Sequence, residues 1–292
     1  MALGPANTIR AWRGRPKRGA TVILAMPELV EIEIYRRTAE RVVGRRIVGV
    51  TANDAWFCKR ATTPELLCAV LPGLVVNKAR RHGKLLLLDF ADHCDKALVL
   101  GLRFGMTGRL VVDGSSDIDE LLYSSVRDDE AWDRFSLTFD DGGSLSVRDP
   151  RRLGGVELDP ESAPTFHLGP DARTLTISQL RLALGGARGP VKAALLDQSR
   201  IAGIGNLIVD EVLWRASISP SRSVPSLSDN EVTLLARTIS KTVALLLRRG
   251  GSHLGDLVSQ RHHDGRCPRD GRALVRSTVG GRTTYACVFH QT

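Results

Sequence analysis

No apolar run in this chain approaches the roughly 18 residues that a membrane-spanning helix needs. Candidates such as 85–90 and 243–247 suit a core strand and part of a core helix. There is no internal repeat and no extended low-complexity segment. Cysteine is scarce: Cys58, Cys68, Cys94, Cys267 and Cys287 are an odd number at wide spacing. That argues against a disulfide framework and for a reducing compartment, with a cytoplasmic protein expected, nucleoid-associated if bacterial. Acid is missing from residues 1–25, which carry five Arg or Lys and show neither helical nor strand period. Their apolar stretch at 22–25 is too short for the core of a secretory signal. Residues 1–26 therefore read as an organelle transit peptide or, preferably, as upstream sequence translated from a start codon placed too early.

What is present fits two ordinary domains. The chain has 292 residues, 42% of them hydrophobic, and a formal net charge of +9. The charge is uneven. Residues 27–172 hold 19 basic and 24 acidic side chains, whereas 173–292 hold 17 basic and 8 acidic ones. A basic C-terminal half points to a polyanionic partner.

Pro27 and the glutamates after it predict a helix start, with Leu29, Ile32 and Tyr35 at helical spacing. Short aliphatic runs at 47–50, 85–90, 97–102, 110–112, 135–139 and 144–148 predict a β-sandwich. The acid- and serine-rich stretch 113–133 reads as an exposed loop. Pro160, Pro164 and Pro170 mark a linker at 158–172. Helical periods follow at 178–184, 190–198, 207–215 and 229–249, and the residues from Arg261 onward are hairpin-like. The expected fold is thus an α+β multidomain chain. An N-terminal helix and β-sandwich occupy 27–157, a helical domain 173–260 and a hairpin 261–292.

Four motifs occur in order. They are Met26–Glu31 (MPELVE), Arg80–Lys84 (RRHGK), Gln198–Asn206 (QSRIAGIGN) continuing to Asp210 and Glu211, and a Cys/His hairpin containing Gly281–Tyr285 (GRTTY). Together they resemble the formamidopyrimidine-DNA glycosylase and endonuclease VIII family, from Met26 to about Gln291. The resemblance implies a bifunctional DNA glycosylase and abasic-site lyase of base excision repair. It acts on double-stranded DNA with an oxidised base or abasic site, with a helix–two-turn–helix DNA-binding domain and no membrane role. A monomer is expected.

By the same resemblance Pro27 is the nucleophile once it is the first residue. A terminal α-amine has a pKa of roughly 8 against about 10.4 for lysine, so more of it is neutral at neutral pH. A proline inside a peptide bond has no such amine. Glu28 is the implied general acid and base, Glu31 a supporting acid, and Lys84 a contact to the phosphate beside the damage. Met106 matches a wedge that fills the gap left by a flipped nucleotide. Arg151 and Leu153 match two further gap-filling positions, Leu153 replacing the family's usual aromatic, and Arg103 stands where the family often has histidine. Arg152 is a phosphate-contact candidate. Lys192 and Asn206 match residues holding the backbone flanking the lesion. The glycines of the 203–206 turn would let a phosphate approach a helix N-terminus. Arg282 matches the arginine at the hairpin tip.

Cys267, Asp270, Cys287 and His290 keep the frame of the family's four-cysteine zinc finger, with Asp and His at its second and fourth positions. One structural zinc ion is implied; His263 competes with Asp270 as a ligand, and His262 less so. The Pro-Glu-Leu start resembles the branch that handles oxidised purines. Val30 in place of proline and the short segment between Asp256 and Cys267 favour ring-opened purines or oxidised pyrimidines instead. If Pro27 is never exposed, the alternative is a non-catalytic damaged-DNA-binding protein of the same fold.

Overall fold

The computed structural model describes residues 27–91, 98–118, 129–163 and 166–292. Residues 1–26, Cys94 and the middle of the 113–133 stretch lie outside the described residues.

Helix α1 spans Leu29–Ala39. It starts later than the proline suggests: Pro27 sits outside it and Glu28 is the N-cap, in extended backbone. The Glu28 N–H donates to Glu31 Oε2 at 2.9 Å, which closes the first turn from within. The helix serves two cores at once. Ile32 and Tyr35 pack into the N-terminal core, whereas Leu29 and Val30 pack into the C-terminal one.

The N-terminal core lies between two antiparallel four-stranded sheets, as the sandwich reading predicted. One has the order β1 (Ile47–Thr51), β6 (Asp133–Phe139), β7 (Ser144–Arg148), β5 (Arg109–Val112). The other has β2 (Val75–His82), β3 (Leu85–Ala91), β4 (Leu98–Arg103), β8 (Gly155–Leu158). Sequence reasoning missed β2, β8 and helix α2 (Pro64–Val70). β2 is an edge strand whose outward positions are charged, which hides its alternation. The α2 signal was present: Thr63 accepts from the Leu66 N–H at 3.2 Å, and proline stands in the first turn. Two connections cross between the sheets at one end of the sandwich. Residues 104–108 lead from β4 to β5, and residues 149–154 lead from β7 to β8.

The C-terminal core is built from α3 (Ile177–Leu184), α4 (Val191–Leu196), α5 (Asn206–Ala216) and α6 (Asp229–Arg249). α6 ends at Gly250, whose φ of 93° suits glycine. Strands β9 (Val275–Val279) and β10 (Arg282–Ala286) form the hairpin. No helix among the described residues is long and apolar enough to cross a membrane.

A buried ionic cluster ties the sandwich to the segment leading into the helical domain. Arg81 donates to Asp171 Oδ2 at 2.5 Å and Oδ1 at 2.9 Å, and to Glu33 Oε2 at 3.1 Å. Arg173 reaches the same Glu33 at 2.7 Å. The Gly83 N–H also donates to Asp171, at 2.7 Å, so the turn carrying Lys84 is held from the other domain. Arg81 is thus a buried structural cation rather than part of a solvated basic turn. Burial works to push the Asp171 carboxyl up, but the Arg81 guanidinium overrides it and holds the group below its ordinary 3.8. Its stabilisation is therefore present above that value and lost as pH falls through the lower folded one. Asp171→Asn should cost about 3 kcal/mol in urea unfolding near neutrality, because it leaves Arg81 underpaired. The gap to wild type should close at acid pH; a gap independent of pH would show that the carboxylate charge is not what matters.

Candidate nucleic-acid interface and active site

Pro27 is buried at the junction of the two domains, beside the turn between α4 and α5. The Leu29 N–H donates to the Gly203 carbonyl at 3.1 Å. The Glu28 carboxylate, 1% exposed, accepts from the Leu207 N–H at 2.8 Å and the Ile208 N–H at 3.1 Å. It therefore caps the N-terminus of α5, where an anion is favoured by orphan N–H groups and the helix dipole. This revises the reading of the glycine turn. A Cβ on Gly205 would lie 2.2 Å from the Glu28 carboxyl carbon, and one on Gly203 would lie 2.6 Å from Leu29. The glycines admit Glu28 and Leu29, and two of the N–H groups expected to await a phosphate already hold a carboxylate.

Lys84 lies in the β2–β3 turn and stands close enough to act electrostatically on Glu28 and Glu31. Burial pushes the Lys84 ammonium down from its ordinary value, against the pull of those two glutamates, and Arg282 adds to the lowering. Burial likewise pushes the Glu28 carboxyl up, against Lys84 and the Leu207 N–H. A carboxyl pushed up beside an amine pushed down is an arrangement that favours proton exchange between the two. Glu31 bridges the domains: besides the Glu28 N–H it accepts from the Ser252 N–H at 2.7 Å. Its place is that of a clamp on the peptide that follows Pro27.

The two inter-sheet connections bring three predicted gap-filling residues together. Met106 is half-buried, and Arg151 and Leu153 are exposed. A Cβ on Gly105 would lie 2.5 Å from the Leu153 carbonyl carbon, so the two connections touch backbone to backbone. Arg152 is exposed and pairs through two nitrogens with Asp54, each at 2.6 Å, which engages the charge offered to a phosphate.

Lys192 is a correction. It is fully buried, not on a DNA-facing surface, and its ammonium donates to Asp210 at 2.7 Å, Thr284 Oγ1 at 2.7 Å and the Thr283 carbonyl at 3.1 Å. Arg261 approaches the same Asp210 at 3.1 Å and donates to the same carbonyl. Asn206 opens α5 and donates to it too, at 3.0 Å, while its own Oδ1 is buried without a partner. This cluster docks the hairpin onto α5 and brings exposed Arg282 toward Lys84. Sequence reasoning missed Arg261 and the role of Asp210. An acid on the inner face of α5 was the available signal.

Cys267, Asp270, Cys287 and His290 present donor atoms that all lie within 4.8 Å of one another. Cys287 Sγ lies 3.3 Å from Asp270 Oδ2, Cys267 Sγ 3.7 Å from His290 Nδ1, and Asp270 Oδ2 3.6 Å from His290 Nδ1. Tetrahedral zinc with bonds near 2.0–2.3 Å needs donors roughly 3.3–3.8 Å apart, so the set fits. His263 does not join it; its ring is 93% exposed and contacts Asp264. His262 is outside the group as well. Trp214 Nε1 contacts Cys267 Sγ at 3.4 Å, a neighbour that would orient this ligand.

The formamidopyrimidine-DNA glycosylase N-terminal domain matches residues 26–156, and the H2TH domain of the same glycosylase, the helix–two-turn–helix unit, matches 168–257. The chain belongs to this family. A formamidopyrimidine-DNA glycosylase of Streptococcus pyogenes serotype M3 is 31% identical, over 90% of this chain and 97% of its own. One from Acidiphilium cryptum is 32% identical, over 91% and 100%. Among solved structures, Lactococcus lactis Fpg bound to DNA containing an abasic site superposes with a TM-score of 0.75 at 26% identity, covering 91% of this chain and 99% of that one. The same protein with a DNA containing N7-benzyl-Fapy-dG gives 0.74 at 26%, with the same coverage. The family fold of N-terminal helix, sandwich and H2TH domain is the one described above.

Cobalt titration checks the metal group. Cys267→Ala and Asp270→Ala should weaken binding, whereas His263→Ala should not. Equal loss with His263→Ala would return that residue to the ligand set.

Proposed function

We propose that the protein is a bifunctional DNA glycosylase and abasic-site lyase of base excision repair, with Pro27 as nucleophile. The observation that carries this is the junction of buried Pro27 and Glu28 with half-buried Lys84, together with two touching loops that present Met106, Arg151 and Leu153. The partner is duplex DNA carrying an oxidised base or an abasic site. The Lactococcus protein's complexes with abasic and Fapy-type DNA support that choice.

The chemistry follows from a free secondary amine. The Pro27 nitrogen attacks the sugar C1′, the bond to the base breaks, and its electron pair leaves with the base. Loss of the nitrogen's proton and opening of the C1′–O4′ bond, with O4′ taking a proton, then give an iminium; this acidifies the C2′ proton, whose loss expels the 3′ phosphate, and a second elimination expels the 5′ phosphate. Glu28 is placed to receive and return protons, anchored on the α5 N-terminus so that its oxygens keep one orientation. Lys84 and Arg282 supply cationic contacts for the phosphates around the extruded nucleotide. Lys192 acts from within, holding Asp210 and the hairpin, while Asn206 reaches the backbone beside the lesion.

Met106, Arg151 and Leu153 occupy the gap left in the stack. Leu153 offers less stacking surface than an aromatic ring. The short segment before Cys267 favours ring-opened purines or oxidised pyrimidines over a base that needs an extended covering loop. The metal is zinc, held by Cys267, Asp270, Cys287 and His290, and its part is to fix the hairpin fold rather than to enter the reaction.

Borohydride trapping on an abasic-site duplex tests the reading. A chain beginning at Pro27 should form a covalent adduct, and one retaining residues 1–26 should not, because an amide nitrogen is not nucleophilic. Absence of adduct from the chain beginning at Pro27 would favour a non-catalytic damaged-DNA-binding protein. Lys84→Ala should retain the adduct but lower its rate of formation by about 10²-fold, the scale of a lost charge contact in the transition state.

A further inference from the structure

Asp149 has no part in the functions assigned so far, yet it is fully buried at the meeting point of the two inter-sheet connections. Its carboxylate reaches both. Oδ1 accepts from Thr107 Oγ1 at 2.5 Å and from the Arg151 N–H at 3.2 Å. Oδ2 accepts from the Gly154 N–H at 2.8 Å. Its own backbone is tied as well: the Asp149 N–H donates to the Trp132 carbonyl at 2.9 Å, and Arg134 Nε donates to the Asp149 carbonyl at 2.9 Å. A buried carboxylate with three donors is well satisfied and hard to move, since releasing any donor leaves charge unpaired.

The donors bracket the exposed side chains. Thr107 is the neighbour of Met106, and Gly105 on its other side packs against Leu153. Arg151 is held by its own N–H, and Leu153 by that of the following Gly154. At the base of the first connection, the Tyr35 hydroxyl donates to the Gly108 carbonyl at 3.2 Å, and the Tyr35 ring lies 4.6 Å from that of Phe104. The connection near Met106 is thus fixed to α1, whose N-cap is Glu28, and through Asp149 to the connection that carries Arg151 and Leu153.

We propose that Asp149 is a positioning residue that clasps the two connections into one rigid wedge, so that Met106, Arg151 and Leu153 enter the duplex together. This rests on the proposed glycosylase reading, in which those three side chains fill the gap. The clasp serves extrusion of a base from the stack, a step that costs a few kcal/mol. It has no part in elimination at a sugar that has already lost its base.

The test separates these steps in the chain beginning at Pro27. One measurement is the fluorescence of 2-aminopurine opposite a tetrahydrofuran abasic analogue, which reports unstacking and needs no chemistry. The others are single-turnover rates of base excision and of elimination at a preformed abasic site. Asp149→Asn puts an amide N–H where Thr107 or Gly154 needs an acceptor. Thr107→Val removes one bond and carries the test if the Asn variant does not fold. Each should diminish the 2-aminopurine rise and slow excision by about tenfold or more, the scale of one charge-assisted hydrogen bond. Elimination should stay within about threefold of wild type, because that step does not draw on the wedge. Thr107→Ser should restore excision. A parallel fall in both rates, no change in either, or failure of Thr107→Ser to rescue would overturn the clasp. Failure of wild type to form an adduct would instead sink the glycosylase reading, while the 2-aminopurine signal would still judge the clasp.

Discussion

The Glu28 carboxylate on the N-terminus of α5 is the contact around which both domains are arranged. It joins the first turn of α1 to a helix far along in sequence, and it is buried from water on all sides. A carboxylate placed there gains the helix's unpaired N–H groups and dipole, which offset much of its desolvation. Once Glu28 is fixed, Leu29 and Val30 enter the helical core, and Ile32 and Tyr35 enter the sandwich core. The short helix α1 thereby sets the distance between Pro27 and the loops carrying Met106 and Leu153.

Charge in this protein divides into two populations that total charge does not distinguish. Arg81 and Lys192 are enclosed with Glu33, Asp171 and Asp210. They hold one domain against the other and the hairpin against α5. Such pairs add little net stability over apolar packing, but removing one partner is costly, so they enforce a single docking geometry. Arg151 and Arg282 are exposed, and Lys84 stands half-buried between the two populations. A count of basic side chains therefore overstates how many are available to a polyanion.

The fold was largely legible. Short aliphatic runs at 135–139 and 144–148 found two strands, helical period found α6 with its true ends, and the frame of the family's zinc finger assembled the cysteine group. β2 escaped because Lys78, Arg80 and Arg81 mask its alternation, and α2 because seven residues give too few turns to show a period. The site was legible as a set of residue types, through resemblance, and less so as contacts. Lys192 could not be told from a surface lysine, because its burial depends on Asp210 and Thr284 arriving from α5 and the hairpin. Pro27 looked like the first residue of a helix, whereas the glutamates after it take the capping role.

Gly205 carries a consequence that concerns how mutations in such a protein should be interpreted. It has no reactive group, yet a single added methyl would collide with the Glu28 carboxyl. Under the proposed function, a substitution there would silence the site while leaving every side chain assigned to proton transfer or phosphate contact in place. A survey of active-site identities alone would score such a chain as intact. In this architecture, inactivating changes can accumulate at positions defined by what they must leave empty.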